Sequence, residues 1–161
     1  MLKNIDAENA GRYRQVNVLI SGANHRPPPA IQVPEQMHEF MHWYNTESAS
    51  LHVVERAARV HGEFVKIHPF ADGNGRTSRL LMNLELMKAG FPATVIEVEQ
   101  RLAYYEALDK AHCAADHSDF IALVASCVEK SFSSYWWALG IEREIAEYLD
   151  TYIRNQIGHA P

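Results

Sequence analysis

From Met37 to Leu139, apolar residues return every three or four positions, and that period commits most of the chain to amphipathic helix. Pro34 suits a first helical position, with Met37, Phe40, Met41 and Tyr44 then on one face. A second stripe runs from about Leu51 to Lys66 through Val54, Ala57, Ala58, His61, Phe64 and Val65. Pro69 and two glycines interrupt it. The period resumes at Leu80, Leu81, Leu84 and Met87 and stops at Gly90, a left-handed cap followed by Pro92. Arg101–Ala115 reads as a further helix with Leu102, Tyr105 and Leu108 inward. Ser118 is the expected N-cap of a long helix carrying Ile121, Val124, Val128, Phe132, Tyr135 and Leu139. A last amphipathic helix is expected over about 141–157, striped by Ile141, Ile145, Leu149 and Ile153.

The amino-terminal fifth departs from this pattern. Gln15–Ser21 alternates Val16, Val18 and Ile20 with polar residues, which predicts a short strand ended by Gly22. Three prolines at 27–29 then hold the chain extended. The expected fold is one all-α domain of about six helices over residues 1–161, with a small strand or β-hairpin at 15–22. A chain of 161 residues with 47% hydrophobic and 22% charged residues can build one core.

The formal net charge of −5 and the lack of a long basic run argue against nucleic acid as a partner. There is no apolar run of 18 residues to span a membrane. The first residues lack the apolar block of a signal peptide, so cytoplasm is the expected compartment. Cys113 and Cys127 match no metal spacing and read as reduced thiols. His38 and His42 stand four apart, but no accompanying carboxylate motif makes them a metal site. His25 and His52 read as surface residues, and His61, on its apolar stripe, as a hydrogen-bonded core histidine. Trp43, Trp136 and Trp137 read as core or interface residues.

The segment that packing does not explain is His68–Arg79, HPFADGNGRTSR. Asp72-Gly73-Asn74-Gly75 leads into a helix, so glycine-permitted backbone N–H groups and a positive helix end face one concavity, an anion nest. Arg76 and Arg79, three apart, emerge on the same side of the first turn and suit a di- or triphosphate. Asp72 beside a phosphate site makes sense as a ligand of a bridging Mg²⁺. His68 at the entrance can take a proton from an alcohol at neutral pH. Phe70 reads as an apolar anchor for the loop. Together these groups point to phosphoryl or nucleotidyl transfer. There is no GxxxxGK[ST] P-loop and no third glycine for a dinucleotide fingerprint.

These residues resemble the signature of the Fic family (filamentation induced by cyclic AMP), H-P-F-x-[DE]-G-N-G-R-x-x-R, at every specified position. The likeness continues in GRYRQVNVLISGANHRPPP, in RLLMNLELMKAGFP and in Arg101, Tyr104, Tyr105, Ala107 and Leu108. It is closest to the branch that includes the animal Fic AMP transferases.

The resemblance implies a protein adenylyltransferase acting on Mg²⁺ and ATP. His68 would deprotonate a target Ser, Thr or Tyr hydroxyl, and Asp72 would hold Mg²⁺. Gly73, Asn74 and Gly75 would cradle the α- and β-phosphates, with the Asn74 side chain donating where charge develops. Arg76 would bind the β-phosphate and Arg79 the γ-phosphate. Tyr104, Tyr105 and His112, with Asn83 nearby, would line the base side. His112 stands where this branch often has asparagine. A flap of Val16, Asn17, Val18, Leu19 and Ile20 would dock the target protein by strand addition.

The family's inhibitory [ST]-x-x-x-E-G-N pattern is not found in the sequence, so the chain reads as a Fic core without the inhibitory helix. An inhibitory glutamate would then come from a missing segment or a separate protein. A Doc-like phosphotransferase and a non-catalytic peptide-binding module are the alternatives. The stripe Ile141–Ile153 is either packed on the domain or a homodimer or partner surface.

Overall fold

The structure is a computed structural model, and it describes residues 9–145, 147 and 148. Five helices carry the fold: α1 (Val33–Thr46), α2 (Val53–Ile67), α3 (Asn74–Lys88), α4 (Arg101–Ala114) and α5 (Ser118–Leu139). Residues 142–145, 147 and 148 are also helical; most of the stripe expected over 141–157 lies outside the described residues. The all-helical expectation therefore holds.

Helix α2 is the axle. It packs most heavily against α3, then against α5, α1 and α4. Burial runs nearly all round it, from Val54 through Ala57, Ala58, Val60, His61 and Phe64 to Ile67. One core joins Val54, Ala58 and Val65 to Met82, Leu86, Leu108, Phe120 and Val124. A second joins Val60, Phe64 and Ile67 to Val33, Met37 and Phe40 of α1. A helix buried on several sides is held by tertiary packing more than by its own propensity.

Local chemistry sets the ends. His52 caps α2, its Nδ1 accepting from the Val54 N–H at 3.3 Å. Gly90 adopts a φ of 82°, and the Phe91 N–H returns to the Leu86 carbonyl at 3.0 Å, closing α3. Helix α5 starts differently from expectation. Ser118 is the first helical residue and His117 holds the N-cap position, while Asp116, one residue earlier, accepts from the Ser118 N–H through Oδ1 at 3.0 Å.

Two predicted faces hold only at Leu81, which packs on the second core, and at the buried Leu108. Leu80, Leu84 and Met87 are exposed, while Asn74, Ser78, Met82, Glu85 and Leu86 are the buried residues of α3. Leu102 and Tyr105 of α4 are likewise exposed, and Tyr104, Ala107, Leu108 and Ala111 face inward. Glu85 is what the apolar pattern could not foresee. It is 5% exposed because Arg56 at 2.9 Å, Lys88 at 2.9 Å and the Tyr44 hydroxyl at 2.7 Å all serve its carboxylate. A buried charge is admissible when it is paired this fully.

The predicted strand is also absent: the described residues contain no strand, and 15–22 is an open segment. Val16 and Leu19 are exposed, and a turn at Ser21–Gly22 is closed by the Ala23 N–H on the Ile20 carbonyl at 3.2 Å. The alternation was there, but no second strand lies alongside to accept the ladder. Cys113 is exposed and Cys127 buried, and both are free thiols. Among the described residues no helix is long and apolar enough to cross a membrane.

Candidate nucleotide-phosphate site

The loop between α2 and α3 is braced by one side chain. Asn74 is 2% exposed; its Oδ1 accepts from the Phe70 N–H at 2.9 Å and its Nδ2 donates to the Phe70 carbonyl at 2.8 Å. One Nδ2 hydrogen is thus committed to the loop, and the other is left for the expected role of the Asn74 amide as a donor to developing charge. Phe70 packs against Phe64 and Tyr13, ring centroids 6.0 Å and 6.1 Å away, and so anchors the loop as anticipated.

Gly73 takes a φ of 83° at the N-cap of α3, a conformation that strains any side chain. The first turn of α3 then offers backbone N–H groups that no intrahelical carbonyl can use. Asp72 is already using this anion-binding geometry. Its Oδ1 accepts from the Gly73 N–H at 2.6 Å and its Oδ2 pairs with Arg76 Nη2 at 2.9 Å. A carboxylate thus sits on the donors expected to hold phosphate. The Arg79 guanidinium folds back over the loop, 3.7 Å from the point where a Cβ on Gly75 would stand.

His68 ends α2 in the left-handed conformation, with a φ of 52°. A histidine tolerates that region better than a β-branched residue, and here the turn aims the ring across the loop. Its Nδ1 meets the Val65 carbonyl at 3.3 Å. A carbonyl only accepts, so Nδ1 carries the hydrogen and Nε2 keeps its lone pair. Burial, with smaller contributions from the Arg14 and His25 charges, lowers the His68 pKa and keeps the ring neutral at pH 7.

All these groups open onto a cavity of about 810 Å³. His68, Asp72, Gly73, Asn74, Gly75, Arg76 and Arg79 line one side, and Tyr104, Tyr105 and His112 of α4 line the other. The structure thus gathers the predicted loop and α4 residues into one site. Of the predicted flap only Ile20 reaches it; Val16, Asn17, Val18 and Leu19 stand outside. Asn17 is tied instead to the polyproline end, its Oδ1 accepting from the Ala30 N–H at 2.8 Å. Asn83 does not line the cavity either, because its amide braces the Thr94 backbone at 2.6 and 3.0 Å.

Three contributors were missed in the sequence. Arg14, 2% exposed, donates to the carbonyls of His68 at 2.8 Å, Val16 at 3.0 Å and Pro28. It rivets the amino-terminal segment to the end of α2. Asp109 accepts from the Asn24 and His25 N–H groups, each at 2.9 Å. His25 is then half-buried in the cavity wall rather than free on the surface, its ring 4.8 Å from that of His112. His112 is held by the Gly62 carbonyl at 3.0 Å, and burial, with the His25 charge second, lowers its pKa to about 4. A buried arginine bound only to backbone carbonyls leaves no periodic trace in a sequence.

An all-helical domain built around an anion-binding helix start, with a neutral histidine at its mouth, is the class that fold and site define. The profile of the Fic/DOC family matches residues 1–86. Protein adenylyltransferase Fic of Drosophila virilis is 44% identical over 139 residues, covering 86% of this chain. The Drosophila grimshawi protein of the same name is also 44% identical. This chain spans 28% of the length of either relative. Among solved structures, Fic-1 of C. elegans superposes with a TM-score of 0.76 at 38% identity, covering 86% of this chain and 40% of that one. A Fic-domain signaling protein from Bacteroides thetaiotaomicron gives 0.68 at 31% identity over 76% of this chain and 53% of its own. The chain belongs to the Fic/DOC family.

Proposed function

We propose that this chain transfers AMP from ATP to a Ser, Thr or Tyr hydroxyl of a protein, with release of pyrophosphate. The observation that carries the reading is His68 Nε2, an acceptor on a neutral ring, opening onto the same cavity as the Gly73–Gly75 turn, Arg76 and Arg79. Nε2 takes the hydroxyl proton as the oxygen forms its bond to the α-phosphorus. The bond from that phosphorus to the α–β bridging oxygen breaks, and pyrophosphate carries away the electron pair. Backbone N–H groups of the α3 start stabilise the charge on the α- and β-phosphates, and Arg76 and Arg79 hold the outer phosphates. The names of the Drosophila relatives support AMP transfer over phosphate transfer.

Mg²⁺ would supply charge neutralisation across the phosphates. Among the described residues no three His, Cys, Asp or Glu side chains cluster as a metal cage. Asp72, a single exposed carboxylate beside the nest, fits a cation held largely by phosphate oxygens and water. Taking that role would require it to leave Arg76, which would then be free for phosphate. Residues 16–20, of which Val16, Asn17 and Leu19 are exposed and none is in a strand, are where a target segment would dock by strand addition, becoming a strand only in the complex. The described residues give Arg79 no carboxylate partner; an inhibitory glutamate would come from another segment or protein.

The test is incubation with ATP and candidate proteins, read by mass spectrometry. Added AMP supports the reading, added phosphate replaces it with phosphotransfer, and no modification despite ATP binding leaves a binding module.

A further inference from the structure

The amino-terminal wall differs in charge from the rest of the molecule. Residues 9–34 carry three arginines and no Asp or Glu, in a chain whose formal net charge is −5. Arg14 is buried and spends its guanidinium on backbone carbonyls. Arg12 and Arg26 are exposed, and among the described residues neither forms an ion pair. Arg56, Arg59, Arg76 and Arg143, by contrast, each stand against a carboxylate. The Arg14 clamp gathers the two exposed arginines. It joins the Val16 and Pro28 carbonyls, and Asn17 Oδ1 accepts from the Ala30 N–H, so residues 14–17 run beside 28–30. Arg12 precedes Arg14 by two residues and Arg26 precedes Pro28 by two, a chain reach of at most about 7 Å in each case. Both side chains therefore belong to the rim that carries the exposed Val16, Leu19 and Ile31.

We infer that this rim selects an acidic segment of the target protein, one in which Asp or Glu is interspersed with apolar residues; this rests on the proposed docking of a target along residues 16–20. A docked strand lays its side chains beside those of the edge it joins, where opposite charges attract and like charges repel. Val16 and Leu19 offer the apolar contacts, and Arg12 and Arg26 the charges. A second copy of this chain is the wrong occupant, because it would bring arginines to an edge that has no acid to meet them. The carboxylate that does reach this segment, Asp109, is taken up by the Asn24 and His25 backbone. Arg12 and Arg26 do not line the cavity, so the transfer itself does not use them. Their charge acts earlier, on encounter and on register, where electrostatic complementarity sets on-rate and specificity more than affinity.

The test measures the binding of fluorescent peptides to the whole chain by anisotropy. Each peptide has a central serine and the same apolar positions, flanked by Asp, Gln or Lys. ATP affinity is followed by calorimetry, with melting temperatures in parallel. The Asp peptide is expected to bind on the order of tenfold more tightly than the Lys peptide, with the Gln peptide between them, since exposed charge pairs are individually weak. Arg12→Glu combined with Arg26→Glu should reverse that order and leave ATP affinity unchanged. A control of equal charge change, Lys130→Glu with Arg143→Glu, should keep it. Salt at about 0.5 M should erase the preference by screening. Equal binding of the Asp and Lys peptides, or an order that the arginine pair does not move, overturns the inference. Loss of ATP binding in the arginine pair also overturns it, because the two cations would then serve the nucleotide. An RNA oligonucleotide of matching charge that binds as tightly as the Asp peptide would mean anion attraction without peptide docking, and has the same consequence. Peptide preference without AMP transfer sinks the proposed reaction and leaves the acidic docking surface standing. AMP transfer to the Asp and Lys peptides alike sinks the surface and keeps the reaction.

Discussion

Two segments wall the same cavity and are held by opposite means. The loop 68–79 is braced from within: Asn74 on Phe70, Asp72 on Gly73 and Arg76, and Phe70 against its neighbour helix. Its fixing contacts span four residues or fewer, apart from Phe70's packing and the bonds from Arg14 to the His68 and Pro69 carbonyls. The segment 14–25 has almost no local structure and hangs from distant points, among them the Lys66 carbonyl, which the His25 ring meets at 3.0 Å. Arg14 ties one end to carbonyls 53 and 54 residues away, and Asp109 ties the other across 84 and 85. A locally braced loop keeps its shape whenever the adjoining helices form. A segment tied by a few long-range side-chain bonds can be loosened by one substitution.

The largest effect expected is at His68. His68→Ala should reduce AMP transfer by at least about a hundredfold, the usual contribution of a general base, while ATP binding persists. Labelling with ATP beside calorimetric binding measures both, and loss of both together would mean that the histidine supports the loop rather than the chemistry.

Arg14→Met comes next and strikes the suspended segment. Several buried carbonyls lose their donor, so a cost of about 3 kcal/mol is expected in urea unfolding, together with reduced transfer. Because the His68 carbonyl is among them, this variant also asks whether the two regions are independent. If transfer survives intact, the amino-terminal segment is a passenger.

A third effect follows from pH. The folded-state pKa values of His61, about 3, and His112, about 4, lie below the ordinary value of 6.5. The unfolded chain therefore binds more protons between those limits. Stability is full above about 6.5 and falls with acidification toward pH 4, by up to about 1.4 kcal/mol per pH unit for each histidine. Urea midpoints at pH 7, 6 and 5 should fall in that order, and His61→Gln should flatten the slope. A slope unmoved by that variant would place the proton uptake elsewhere.

Asp109→Ala should be the mildest. It should cost about 1 kcal/mol in the urea midpoint and speed hydrogen exchange at the Asn24 and His25 amides. Residues 68–79 should keep their protection. Faster exchange in the loop as well would erase the distinction between the two walls.

The same division explains what could be read in advance. The loop was legible because its chemistry is written in consecutive residues: a glycine where φ is positive, arginines three apart, a histidine at a helix end. Helix α2 and the first part of α5 were legible because burial follows their apolar period at Val54, Ala58, Val124 and Val128, whereas Tyr135 and Leu139, expected on the same stripe, are exposed. The face of α3 was not, because Glu85 is buried by the convergence of Tyr44, Arg56 and Lys88 from three helices. The strand at 15–22 failed because alternation marks a capacity to pair, and pairing needs a neighbour.

By itself, then, the sequence determined an all-helical chain and a glycine-bearing turn at a helix start with its histidine, since both arise from contacts within a few residues. Tertiary structure alone decided that α4 faces that turn and that Arg14 and Asp109 hang the opposite wall. It also brought a buried His61 up against Tyr104. Those arrangements join residues 43 to 85 positions apart, and only the packing of helices around α2 brings such partners into reach.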